Sequence, residues 1–238
     1  MREVSGQVSA AGGSVRRKAL LRSDAPARSD PTPHLLAWPP ATVVDLRSES
    51  EYVGPHPLLE HGATIHRIPL SKKLNVLEFD AEDILRDGGL AGLYRYTIDG
   101  AEPAVVQAVA AVAHGAFPAL IHCTFGKDRT GIVTATILAA VGVPDSAIVA
   151  DYVETASNVD RIIARLTSID SPAIDRIQNL LTSYPQGLDA TADAIGAVLQ
   201  VFEEAGGADR WLRSHGLTED TLTALRSRLL EVEGEESP

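Results

Sequence analysis

A single cysteine, Cys123, stands six positions before Arg129 in the run HCTFGKDRTG, His122 to Gly131. An apolar run, Phe117 to Ile121, precedes it, and a helical apolar run, Ile132 to Val143, follows. This order reads as strand, loop and helix, with the loop at a helix N-terminus. Backbone N–H groups there lack intrahelical partners, and the helix dipole adds positive potential. An anion in such a loop meets converging donors. Gly126 and Gly131 let the backbone fold tightly around it. Arg129 offers a planar fork that matches two oxygens of a phosphate. The same field favours the thiolate of Cys123 over the thiol. One short loop thus combines a nucleophile with an oxyanion cradle, the equipment for phosphoryl transfer through a cysteinyl-phosphate.

The roles follow from the residue types. Cys123 attacks phosphorus. Arg129 and the loop N–H groups from about Thr124 to Arg129, those of Phe125, Gly126 and Lys127 among them, bind the equatorial oxygens, and Lys127 adds a second cation. The Thr130 hydroxyl hydrogen-bonds the sulfur, caps the helix, or does both. His122 points to the opposite face of its strand and orders the loop, and its imidazolium would further favour the thiolate. A buried, inert cysteine is the plain alternative. It accounts for Cys123 but not for Lys127, Asp128, Arg129 and Thr130 crowded between two apolar elements. A zinc site through His122, Cys123 and His114 lacks a complete ligand set. Neither metal nor cofactor is expected.

The loop resembles the signature of a bacterial atypical tyrosine and phosphoinositide phosphatase family, whose form is HCxxGKDRTG. Other stretches are similar: LLRSDA (Leu20 to Ala25), VVDLRSESE (Val43 to Glu51), DYVETASNV (Asp151 to Val159) and WLRSHGLTEDTL (Trp211 to Leu222). The resemblance runs from about Val15 to Leu230. It implies hydrolysis of phosphotyrosine, with phosphoinositides as further substrates through Lys127. It also implies that the general acid is the loop aspartate, Asp128, rather than an aspartate on a separate movable loop. Asp80, Asp83, Asp87 and Asp99 compete for that role, and Asp128 has an alternative as a partner of Lys127 or Arg129 that only shapes the loop. A helical lid over residues 155–187 is implied too, with packing on the sheet as its alternative. A catalytically inactive phosphate reader and a sulfurtransferase are the rival functions.

The chain has 238 residues, 45% hydrophobic content and a net charge of −11. These suit one α/β domain over 1–238 and argue against nonspecific nucleic-acid binding. One cysteine allows no internal disulfide, in keeping with a reducing compartment. The first residues have no signal-peptide core, and no apolar run approaches membrane-spanning length. A cytoplasmic protein is expected, or one exported without a cleaved signal.

The expected fold is a central parallel-type sheet flanked by helices, with a helical lid and a helical C-terminal part. Residues 1–14 read as a loose lead-in. Val15 to Leu21, Thr42 to Leu46, Thr64 to Pro69 and Phe117 to Ile121 read as strands. Asp45 and Arg47, at the carboxyl edge of their strand, either brace the loop or form an ordinary ion pair. Helices are expected over Asn75 to Asp87, closed by Gly88 and Gly89, and over Ala104 to His114 and Thr130 to Ala140. Further helices follow at Asp145 to Asn158, Asp160 to Thr167, Ala173 to Ser183, Ala190 to Ala205 and Asp209 to Ser214. Thr218 caps a last helix to Val232, and residues 233–238 read as a disordered acidic tail. Tyr94 and Tyr96 are candidates for an aromatic wall beside the substrate, with core packing as the alternative for at least one of them.

Overall fold

A computed structural model describes residues 1–10, 12–34, 37–52, 54–70, 88–168, 182 and 189–231. The expected helices at Asn75 to Asp87 and, apart from Thr182, Ala173 to Ser183, the tail, and the carboxylates Asp80, Asp83 and Asp87 lie outside the described residues.

Five short strands form the main sheet: β1 (Arg2–Val4), β3 (Leu20–Ser23), β4 (Thr42–Asp45), β5 (Thr64–Arg67) and β6 (Ala119–His122), in the order β1-β3-β6-β4-β5. The last four run parallel, and β1 closes one edge antiparallel to β3. A separate pair joins β2 (Ser14–Val15) to β7 (Leu230–Glu231). Alternation along the strands divides the core in two. Leu20, Val44, Ala119 and Ile121 face the large helical core, while Leu21, Val43 and Leu120 face a small cluster with Leu58 and Ala63. Cys123 continues the phase of Ile121, so its sulfur emerges on the helical face.

The helices are α1 (Gly89–Ile98), α2 (Glu102–His114), α3 (Asp128–Ala140), α4 (Asp145–Val153), α5 (Val159–Ser168), α6 (Ala192–Glu204), α7 (Ala208–Ser214) and α8 (Glu219–Leu229). Every residue of α3 except Ala139 is buried. It packs against α2, α4, α6 and α7 as well as β6, so its N-terminus is held from several sides. Among the described residues no helix is long and apolar enough to cross a membrane.

Several expectations need correction. The lead-in is not loose: β1 lies in it, Val4 is buried, and Ser9 donates to the Val141 carbonyl at 2.7 Å. The single strand Val15 to Leu21 is two strands of different sheets, separated by a turn in which Lys18 has φ +60. Gly88 and Gly89 stand at the start of α1, which the sequence reading passed over. That helix buries Leu90, Leu93, Tyr94, Thr97 and Ile98 at helical spacing. Asp145 to Asn158 divides into α4 and a 3-10 turn, Glu154–Asn158. Thr218 does cap α8, accepting from the Thr221 N–H at 3.2 Å. The helix stops at Leu229, where the chain turns extended to pair with β2.

Candidate active site

β6 delivers His122 and Cys123 to the carboxyl edge of the parallel sheet, and α3 begins at Asp128. The loop between them curls back on its own sulfur: the Gly126 N–H donates to Cys123 Sγ at 3.2 Å. Gly126 has φ +69, and a Cβ there would collide with the Ser23 carbonyl, so only glycine fits. Gly131 serves a different purpose from the tight loop turn expected of it. It is helical, and a Cβ would meet the Tyr152 ring at 2.7 Å.

Arg129 is buried and faces inward. Its Nη1 and Nη2 each donate to one oxygen of Glu51 at 2.6 Å, and Nη1 also reaches the Leu46 carbonyl at 3.3 Å. This end-on pairing leaves the Nε–H and the outer Nη2–H on one edge, a fork suited to two phosphate oxygens. Glu51 also accepts from the Thr124 hydroxyl at 2.6 Å and from the Ser48 N–H at 2.8 Å. Burial alone would raise the Glu51 pKa, but the bonds and charge of Arg129, with Thr124 and Ser48, hold it at about 2. Burial opposes the charge on Arg129 as well, and Glu51 outweighs it, so the guanidinium is held more firmly charged than usual. Glu51 falls within the stretch Val43 to Glu51, but the sequence assigns it no role. Its one local signal is the spacing Ser48-x-x-Glu51, a capping box that opens a 3-10 turn.

Asp128 lies at the first turn of α3. Its Oδ1 accepts from the Tyr94 hydroxyl at 2.6 Å and lies 2.9 Å from Lys127 Nζ, and the Tyr94 and Tyr152 hydroxyls are 2.6 Å apart. Burial, then the Asp128 charge, push the Tyr94 pKa well above its usual value, so Tyr94 remains a donor. Tyr94 is therefore a core residue with its hydroxyl on the loop, not an aromatic wall, and Tyr96 is about half exposed. Asp99 stands at the surface beside Arg95, at 3.8 Å. The Lys127 ammonium also donates to the Asp189 carbonyl at 3.2 Å. Thr130 is fully buried, and its hydroxyl has no hydrogen-bond partner among the described residues. It does not cap α3, whose N-cap is Lys127.

His122 turns to the small core, as the strand alternation requires. Its Nε2 lies 3.0 Å from His56 Nε2, its Nδ1 lies 3.2 Å from the Cys123 carbonyl, and the Leu58 N–H donates to His56 Nδ1 at 3.1 Å. All three bonds are satisfied when His56 donates to His122 and His122 donates to Cys123, both rings neutral. Asp45 lies 3.7 Å from His122 Nε2, and its two oxygens accept from Arg47 Nε at 2.9 Å and Nη2 at 2.8 Å. Asp45 and Arg47 thus form an ion pair that also backs the strand before the loop. Ligand atoms of Asp45, His56 and His122 come within 4.8 Å of one another. These groups are already engaged with one another and with Arg47, whose guanidinium would repel a cation there.

The expected imidazolium at His122 is overturned. Burial comes first among the causes and outweighs the Asp45 charge, lowering His122 to about 4; burial and His122 lower His56 to about 3. Unfolded histidines bind protons near pH 6.5, so between that value and about 4 the unfolded state holds more protons. This contribution to stability is complete above pH 6.5 and is lost as pH falls toward 4. A loss on the order of 3 kcal/mol should lower Tm by roughly 10 °C between about pH 7 and pH 4.5. His56→Asn should melt lower at neutral pH and lose less on acidification. Equal slopes in thermal melts of the two proteins would contradict the assignment.

An α/β fold with a cysteine-bearing loop at the carboxyl edge of its parallel sheet is consistent with a tyrosine phosphatase domain. The chain belongs to the tyrosine phosphatase family, whose model matches residues 1–231. It is 32% identical over 142 residues to the triple specificity protein phosphatase PtpB of Mycobacterium tuberculosis, covering 56% of this chain and 51% of that one. It is 34% identical over 131 residues to a tyrosine-protein phosphatase of Nostoc commune, covering 52% of this chain and 42% of that one. The chain thus spans about half the length of these curated relatives.

Proposed function

We propose that this chain is a phosphomonoester hydrolase that acts on phosphotyrosine in proteins, and also on phosphoinositides, through a cysteinyl-phosphate. The carrying observation is Arg129: buried, fixed end-on by Glu51, with its Nε edge left for an oxyanion above Cys123. The Cys123 thiolate attacks phosphorus, an S–P bond forms, and the P–O bond to the leaving oxygen breaks as Asp128 gives it a proton. Arg129 and the loop N–H groups hold the three equatorial oxygens through the transition state. Water then attacks phosphorus, Asp128 takes its proton, and sulfur leaves with the Thr130 hydroxyl as its hydrogen-bond donor. In the structure that hydroxyl bonds no described group, the sulfur included, so the contact belongs to the departing thiolate in this reading. With Oδ1 of Asp128 occupied by Tyr94 and Lys127, proton transfer falls to Oδ2.

The relative from Mycobacterium tuberculosis carries triple specificity in its name, which supports a breadth beyond phosphotyrosine here. A cavity of about 810 Å³ borders Phe125 and Gly126 together with Arg22 and Ser23, and its lining does not include Cys123 or Arg129. Of the lid proposed over residues 155–187, only 155–168 and 182 lie within the described residues, and there Arg165 donates to Asp24 at 2.6 Å and to Asp30 at 2.5 Å. The test is phosphate release across phosphotyrosine, phosphoserine, phosphothreonine and phosphoinositides, with vanadate as inhibitor. Vanadate-sensitive release led by phosphotyrosine is expected, and no release from any of them overturns the reading. Thiocyanate formed from thiosulfate and cyanide would favour a sulfurtransferase instead.

Asp128→Asn separates the acid from its rivals. Turnover of phosphotyrosine or phenyl phosphate should fall by roughly 10²–10⁴, while p-nitrophenyl phosphate, whose leaving group needs little protonation, should lose far less. Equal losses would move the acid to the region of Asp80, Asp83 and Asp87.

A further inference from the structure

Arg22 lies on β3, on the face of Leu20, with only 3% of its surface exposed. Its Nη2 donates to the Gly126 carbonyl at 3.0 Å and its Nη1 to Asp151 Oδ2 at 2.7 Å. Asp151, on α4, is held in turn by Arg2 of β1, whose Nη1 reaches Oδ1 and whose Nη2 reaches the Asp151 carbonyl, each at 2.5 Å. A chain of side chains thus runs from the edge strand through α4 to the back of the loop. None of these residues reaches the sulfur.

A trans peptide is planar, with its C=O and the following N–H pointing in opposite directions. A loop carbonyl pulled outward therefore turns the next N–H inward. The Cys123 carbonyl is held by His122, the Thr124 carbonyl by the Ala25 N–H at 3.1 Å, and the Gly126 carbonyl by Arg22. The N–H groups aimed the other way belong to Thr124, Phe125 and Lys127. Gly126 is the residue whose peptide turns over most easily, having φ +69 and no side chain. It is also the carbonyl of the three that a buried guanidinium holds.

We infer that Arg22 is a positioning residue for oxyanion binding: by fixing the Gly126 carbonyl it presents the Lys127 N–H to the equatorial oxygens of the phosphoryl group. This rests on the proposed hydrolase reading. Asp151 and Arg2 keep Arg22 aimed, so the N-terminal strand contributes to the site without touching it. The donor acts most strongly where charge accumulates, in the transition state, so its loss appears in kcat more than in KM.

Arg22→Met, Arg22→Lys and Arg2→Gln are compared with the parent for kcat and KM on p-nitrophenyl phosphate, vanadate inhibition and Tm. Arg22→Met should lower kcat and weaken vanadate by roughly 10²-fold with a small change in KM. Arg22→Lys should recover part of both, and Arg2→Gln should show a smaller shift of the same kind. A folded Arg22→Met with parental kcat and vanadate affinity overturns the proposal. Should Arg22→Met fail to fold, the parent protein labelled with ¹⁵N-lysine decides. The Lys127 amide resonance should move strongly downfield on adding vanadate, and an unmoved resonance overturns the proposal. An amide response without phosphate release keeps the brace and removes the hydrolase reading. Phosphate release with a silent amide does the reverse.

Discussion

Cys123→Ser should bring turnover of p-nitrophenyl phosphate to background, a loss of roughly 10⁶-fold, the scale on which a covalent hydrolase suffers when its nucleophile is removed. Most anchors of the cradle do not involve the sulfur: Arg129 keeps its two bonds to Glu51, and the Thr124 and Gly126 carbonyls stay held from behind by the Ala25 N–H and Arg22. Phosphate or a phosphotyrosine peptide should therefore still bind the variant, within a few-fold of the parent. Calorimetry on Cys123→Ser together with the turnover assay separates an enzyme from an inactive phosphate reader. An enzyme loses turnover and keeps binding. A reader shows binding in both proteins and turnover in neither. Residual vanadate-sensitive activity in the serine variant would place the nucleophile elsewhere.

Arg129→Ala carries the second largest expected effect, roughly 10³–10⁵ in kcat, comparable to other arginines that stabilise a transferring phosphoryl group. Two losses combine. The transition state loses the guanidinium edge, and Glu51 is left buried with its negative charge facing the place of the phosphate. Removing one partner of a buried pair costs about 3–5 kcal/mol of stability, so Tm should fall as well. Glu51→Gln divides the two effects. It keeps a hydrogen-bonding side chain and removes the repelling charge, but it releases Arg129 from its end-on clamp. A kcat loss near 10²-fold is expected for Glu51→Gln. In the double variant Arg129→Ala/Glu51→Gln the stability loss should be much smaller than the sum of the single losses. Additive losses would mean that the two residues act independently, against the geometry.

The chemistry of the loop was legible because it is local. Within ten residues, the cysteine, the glycine that must take positive φ, the arginine and the helix start lie close enough to fix one another's geometry. The short strand Thr42–Asp45 and the helices α2, α6 and α7 were legible for a related reason, since their apolar spacing repeats within a few residues. The helix that begins at Gly89 was not legible because glycine both ends and precedes helices, and the packing of Leu90, Leu93 and Tyr94 in the core shows that one starts here.

The partners of the loop are another matter. Glu51 stands 78 positions from Arg129, Tyr94 stands 34 from Asp128, and Arg22 stands 104 from Gly126. No periodicity or composition links such pairs, because which of many carboxylates meets a buried guanidinium depends on which strand ends lie side by side. The protonation of His122 was misjudged for the same cause: a histidine in sequence is a base near neutrality, and burial against His56 makes it neutral. The sequence by itself determined the strand–loop–helix, and with it the proposed nucleophile and anion cradle, through short-range backbone geometry. The tertiary structure alone decided which charges are paired, which hydroxyls are occupied and which carbonyls are tied back, because those depend on long-range contacts and the exclusion of water.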